Sequence, residues 1–240
     1  MPKFITPANI QQTAEAVSLA AKQNQLVRIQ HSPADAESAS ESLILNLTAL
    51  NRIGPVMGNA TSGYVIQAEA GTTYQKLAAQ LSAQTLAFAP APTKPTTLGG
   101  MFCGPSGFMI ADRVLGITLI QADGTPLTLG RGQCCFDQTG CTLPDGRRLE
   151  LGSLPDSSNI PCLPAYGSDL LDLFAGSCGT LGIVALLVLQ LHPLNASQLL
   201  PQTAPAKASQ PLSEAQQRIV AQVRQFFDPH HLLLQNVSDL

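Results

Sequence analysis

Two glycine clusters stand out as sites where the backbone could do chemistry. One runs Thr97-Leu98-Gly99-Gly100-Met101-Phe102-Cys103-Gly104-Pro105-Ser106-Gly107, the other Gly176-Ser177-Cys178-Gly179-Thr180-Leu181-Gly182-Ile183-Val184. Glycine lets backbone amides come close to a ligand, and successive amides form concave anion sites. A diphosphate is the obvious occupant of the first cluster; a tight irregular loop at a domain surface explains it equally well. The second reads as a helix-to-strand turn, and glycine ends many helices without binding anything. Gly130-Arg131-Gly132 reads as a simple turn.

Side-chain chemistry is sparser. His192, His230 and His231 have no orienting partner nearby in sequence, and His31 reads as a surface histidine. Cys134, Cys135, Cys141 and Cys162 fall in residues 133–163. Four cysteines could ligate a metal or an iron–sulfur cluster, but there is no Cys-x-x-Cys pair, and adjacent cysteines are poorly placed to share one ion. Free thiols in a partner-facing hairpin are the favoured reading. Cys103 and Cys178 read as small packing residues. No acid/base pair emerges, so no catalytic residue and no metal ligand is assigned.

The chain of 240 residues is 45% hydrophobic and 12% charged, which is enough apolar material for a core. A net charge of -3 gives no electrostatic case for nucleic acid, and the absence of Trp weakens base stacking. The apolar run 183–189 is far shorter than the roughly 20 residues of a bilayer span, and residues 1–7 contain no signal-peptide core. A cytoplasmic protein is expected.

The elements follow from periodicity and turn residues. Thr6-Pro7 starts a helix carrying Ile10, Ala14, Val17 and Ala21 and ending near Asn24. Strands are expected over 26–29, 43–47 and 64–70, then a helix through Tyr74, Leu77, Ala78 and Leu81 capped by Thr72 or Thr73. Residues 87–97 are extended loop. Asp123-Gly124 joins strands 115–121 and 126–129 in a hairpin. Asp145-Gly146 echoes that turn, suggesting an extended hairpin or a small extra sheet. A short helix over 168–174, a buried strand over 183–191, a linker over 195–212 and an amphipathic helix from residue 213 complete the chain. The fold class is α+β.

In order, Gly99-Gly100, Asp112-Arg113-Val114-Leu115-Gly116, Asp123-Gly124, Tyr166-Gly167-Ser168-Asp169-Leu170 and Gly176 to Val184 resemble the FAD-binding domain of the vanillyl-alcohol oxidase/PCMH superfamily. Within it, the chain is most similar to the small FAD-binding subunit of bacterial glycolate oxidase. Asn46-Leu47-Thr48-Ala49-Leu50-Asn51-Arg52-Ile53 and Phe227-Asp228-Pro229 add to that resemblance. It implies a two-part domain over 1–194, split into 1–70 and 71–194 with an insertion at 133–163, then the linker, and a helix and tail over 213–240. It implies FAD, bound non-covalently, with Leu98, Gly99, Gly100, Gly104, Ser106 and Gly107 along the pyrophosphate and ribityl chain. Gly179, Thr180, Gly182, Ile183 and Val184 would line the flavin or adenine side. The implied activity is oxidation of 2-hydroxy acids such as glycolate or D-lactate, with electrons passed to an iron–sulfur subunit.

Three departures qualify that picture. The family's first glycine-rich loop is replaced by residues 28–37, which lack glycine; Asp35, Glu37 and Glu41 put negative charge there. A cap domain expected between residue 194 and the last helix is reduced to the linker. Residues 133–163 are extra. A capless flavin face would be apolar and exposed, so another polypeptide is expected over it: a larger flavoprotein subunit, an iron–sulfur subunit or a second copy. Residues 133–163 and 213–227 are the expected contacts. The alternative function is a structural subunit that kept the fold and lost FAD.

Overall fold

The computed structural model describes residues 3–30, 42–89, 91–92, 94–105, 107–154, 164, 167–194 and 213–234. His31, Asp35, Glu37, Glu41, Ser106, Cys162, Tyr166 and the linker 195–212 lie outside them.

The first part is a three-stranded parallel sheet ordered β1-β3-β2, from β1 (Lys3–Ile5), β2 (Val27–Ile29) and β3 (Leu43–Leu45). Helix α1 (Ile10–Lys22) buries Val17 and Ala20 with this sheet's apolar residues. Its cap is Asn9 rather than Thr6: Asn9 is extended, and its side chain accepts the Gln12 amide at 2.8 Å. The outer edge of β2 is closed by the C-terminal segment, where the Val27 amide donates to Leu232 O at 2.7 Å. The Asp228 carboxylate, fully buried, shapes that segment by accepting the Leu232 and Leu233 amides, each at 2.8 Å.

The second part is an antiparallel sheet ordered β4-β5-β11-β7-β8: β4 (Met57–Asn59), β5 (Gly63–Glu69), β11 (Ile183–Pro193), β7 (Val114–Ile120) and β8 (Pro126–Gly130). The short strand β6 (Leu86–Ala87) also pairs with β11. β11 is therefore the central strand, which is why its sequence is apolar on both faces. The β7–β8 hairpin turns at Asp123-Gly124 as expected; Gly124 has φ +89°, and Asp123 accepts the Thr125 amide. Helices α2 (Tyr74–Ser82) and α3 (Leu98–Cys103) pack on the larger core with Leu77, Leu81, Leu98 and Phe102. Each such fully buried apolar side chain contributes about 1.5–3 kcal/mol.

The echo at Asp145-Gly146 is the turn of a small hairpin of β9 (Gly140–Thr142) and β10 (Arg148–Glu150). Helix α4 (Glu214–Phe227) starts with a capping box between Ser213 and Gln216, and closes the larger core with Val223 and Phe227. Phe227 meets Phe174 edge-on at 5.3 Å. The architecture is α+β, a small parallel sheet joined to a larger antiparallel one. Among the described residues, no helix is long and apolar enough to cross a membrane.

Three elements depart from expectation. The first glycine cluster is not loop throughout: residues 98–103 form α3, because Thr97 caps it by accepting the Gly100 amide at 3.1 Å. Strands β1 and β4 are not among the expected strands: β1 exists through pairing with the distant β3, and β4 is the short arm of a hairpin with β5, which follows it directly. The described cysteines, Cys103, Cys134, Cys135, Cys141 and Cys178, are free thiols, and among the described residues no cluster could hold a metal. Burial pushes the Cys141 thiol up to about 12.

Candidate functional site

The first glycine cluster is already occupied by protein. A helix start ordinarily leaves amides free for a ligand. Here the Leu98 amide donates to Thr72 O and the Gly99 amide to Ala70 O, both at 2.8 Å. The Gly100 amide donates to the Thr97 hydroxyl and the Met101 amide to Thr97 O. The Gly104 amide donates to Gly100 O at 3.0 Å, and the Gly107 amide to Gly104 O at 2.8 Å. The space beside these glycines is filled as well. A methyl on Gly99 would stand 2.9 Å from Ala70 Cβ, and one on Gly104 2.4 Å from Gly100 O. At Gly107 it would lie 1.6 Å from Phe102 O and 2.7 Å from Gly176 N. Glycine here allows backbone to pass backbone.

The second cluster is joined to the first. The Gly176 amide donates to Phe102 O at 2.9 Å, and the Cys178 amide to Cys103 O at 2.7 Å. The two clusters thus adjoin, with Gly107 packed against the Gly176 amide; Ser106 lies outside the described residues. Cys178 (φ +51°) and Gly179 (φ +77°) turn the chain through left-handed conformations. Thr180 closes the turn with its hydroxyl on Ser177 O at 2.7 Å. The amides of Gly179, Leu181 and Gly182 make no hydrogen bond to another described residue, although all three residues are buried. Amides without partners in buried residues are rare, and these three, separated only by the Thr180 amide, which donates to Ser177 O at 3.0 Å, are suited to an anion. A methyl on Gly179 would face the tip of Ile29, 2.9 Å from its Cδ1. The end of β2, from which residues 31–41 depart, therefore lies against this turn.

Ile183 and Val184 follow as core residues. Ile183 is fully buried opposite Ile120, and Val184 lies opposite Leu119. The β5–β11 pairing continues in register one residue past β5, so Ala185 O accepts the Ala70 amide at 2.9 Å. Ala70 in turn holds Gly99, so β5, β11 and α3 meet at that one residue.

His192 sits at the far end of β11 from the glycine turn. Contrary to expectation it has an orienting partner, Arg113, whose Nη1 is 3.2 Å from Nδ1. A guanidinium only donates, so Nδ1 accepts and the ring proton is on Nε2. A separation of 79 residues hid this pair in the sequence. Burial, followed by the Arg113 charge, lowers the His192 pKa below 6.5. The unfolded chain then takes up this proton first, so stability is lost as pH falls through about 6.5, and the loss stops once the folded form protonates. Thermal denaturation across about pH 6.5 to 5 should therefore show a shallower decline in Tm for His192→Gln than for wild type. Equal slopes would mean that His192 titrates as a free imidazole.

A family model described as "FAD binding domain" matches residues 2–130, more than half of the chain. No curated protein matches the sequence. Among solved structures, alkyldihydroxyacetonephosphate synthase is similar at 18% identity and TM-score 0.55, over 79% of this chain and 31% of that one. Phl p 4.0202, a glucose dehydrogenase, is similar at 17% identity and TM-score 0.53, over 79% of this chain and 34% of that one. The chain spans about a third of the length of these proteins, and identities this low show a shared fold. None of these matches singles out glycolate oxidase. The chain belongs to the FAD binding domain family, and FAD is the cofactor that membership gives it.

Proposed function

We propose that this chain is the FAD-holding subunit of a 2-hydroxy-acid dehydrogenase complex of the glycolate or D-lactate type, inactive by itself. FAD fits the site at one of its two glycine clusters. The unpartnered amides of Gly179, Leu181 and Gly182 suit part of its diphosphate, and this observation carries the reading. Gly179, Thr180 and Gly182 would hold the cofactor directly. Ile183 and Val184 would offer backbone only, and Leu98, Gly99 and Gly100 of α3, with Gly104 and Gly107 after it, would shape the wall without donating amides. FAD, when bound, supplies a two-electron acceptor for substrate hydride. The ordered motifs support the glycolate-type assignment. The reduction of the cap position to residues 195–212, too few for a domain, supports a substrate site completed by a partner. That partner is a larger flavoprotein subunit, an iron–sulfur subunit or a second copy, covering the apolar flavin face.

A second reading, a structural subunit without FAD, is favoured by two observations. Every α3 amide named above is engaged internally, and residues 28–37 lack glycine while Asp35, Glu37 and Glu41 bring negative charge. One experiment separates the readings. Protein purified with added FAD should absorb near roughly 450 nm and release the flavin on denaturation. It should show no turnover of glycolate or D-lactate with an artificial acceptor. Colourless protein that gives no binding heat with FAD establishes the structural subunit. Turnover by the isolated chain would place the whole substrate site within it.

A further inference from the structure

The two parts of the fold meet at the turn after β5, and a buried carboxylate sits in that joint. Glu69 is 7% exposed and accepts the Arg52 amide on Oε2 at 2.8 Å. Its own amide donates to Arg52 O at 2.9 Å. The Arg52 guanidinium is mostly exposed and 3.9 Å away, so the amide contact is the stronger restraint. The next residues reach every neighbouring element. The Ala70 amide donates to Ala185 O of β11, and Ala70 O accepts the Gly99 amide of α3. Gly71 passes so close to the first part that a methyl there would lie 1.9 Å from Leu47 O and 2.8 Å from Leu50 O. Thr72, fully buried, donates its amide to Glu69 O and accepts the Leu98 amide. Leu47 and Leu50 belong to the smaller core and Ala70 to the larger.

We propose that Glu69 is a positioning residue: by holding Arg52 to the turn 69–72, it sets how α3 and the first part of the fold stand against the amides of Gly179, Leu181 and Gly182. Its link to cofactor binding rests on the FAD reading above; the lock itself does not. Without the carboxylate the Arg52 amide loses its acceptor, and the turn is free to shift against Leu47 and Leu50. The α3 start moves with it, because Leu98 and Gly99 hang from Thr72 and Ala70.

The test compares Glu69→Leu, which has no acceptor, and Glu69→Asp with Asp169→Asn. Asp169 is a similarly buried carboxylate that accepts the Leu171 and Gly132 amides, away from the joint. Hydrogen exchange of the protein without FAD should show the Leu98 and Gly99 amides exchanging at least about tenfold faster in the Glu69 variants and unchanged in Asp169→Asn. Glu69→Asp keeps the charge but loses reach, so it should behave like Glu69→Leu, and it serves alone should the latter fail to fold. Wild-type exchange at both amides in a folded Glu69 variant overturns the lock. Calorimetry with FAD should then show a Kd at least about tenfold weaker for the Glu69 variants than for Asp169→Asn. Faster exchange with unchanged Kd overturns the positioning role. No FAD binding by wild type overturns the FAD reading and this positioning role together, while the exchange result still decides whether the lock exists.

Discussion

Gly107→Ala should be the most damaging single-methyl change at this site. The added carbon would lie 1.6 Å from Phe102 O and 2.7 Å from Gly176 N, both backbone atoms that cannot rotate away. Relief requires Gly107 to lift off α3. Phe102 O is also the acceptor of the Gly176 amide, so lifting there loosens the contact joining the two glycine clusters. Overpacking against fixed backbone costs about 3 kcal/mol or more, which for a chain of this size lowers Tm by roughly 6–12 °C. Gly146→Ala is the control. Gly146 has φ +86° but open space around it, so alanine there meets only the left-handed strain of about 1–2 kcal/mol. Equal Tm losses for the two variants would show that the Phe102 contact is soft.

Local signals survive into this fold where the physics is local. The Asp123-Gly124 hairpin, the α2 start at Thr73, the capping box at Ser213 and the central position of β11 all depend on residues near in sequence or on an unbroken apolar run. The order of the glycine clusters was likewise readable, because glycine is a backbone signal in itself. What each glycine faces was not. Gly99 and Gly179 look alike in sequence, yet one lies against Ala70 and the other against a side-chain tip from β2. That difference comes from chain segments meeting across the fold. The helical state of residues 98–103 was hidden for the same reason: two glycines in six residues oppose a helix, and Thr72 and Ala70 of the neighbouring turn supply the acceptors that hold its first amides. The Arg113–His192 pair and the Glu69–Arg52 contact are tertiary too, with no periodicity to announce them.

Gly179→Ala should give the opposite result from Gly107→Ala: a folded protein that binds FAD poorly. At φ +77° alanine costs about 1–2 kcal/mol, and its methyl meets only Ile29 Cδ1, at 2.9 Å, the movable end of a side chain. Tm should fall by no more than roughly 8 °C. The amides of Gly179, Leu181 and Gly182 are the ones left for an anion, and a methyl on the first of them crowds the ligand and stiffens the turn. A loss of at least about tenfold in FAD affinity is expected, measured by calorimetry on folded protein. Two routes could produce that loss, and adding Ile29→Val separates them. Trimming Cδ1 removes the contact with the new methyl, so the double variant should recover part of the Tm. If FAD is held by the turn itself, its affinity stays low in the double variant. If affinity returns with the Tm, the defect came through displacement of β2, and the amides of this turn are not where the diphosphate is held.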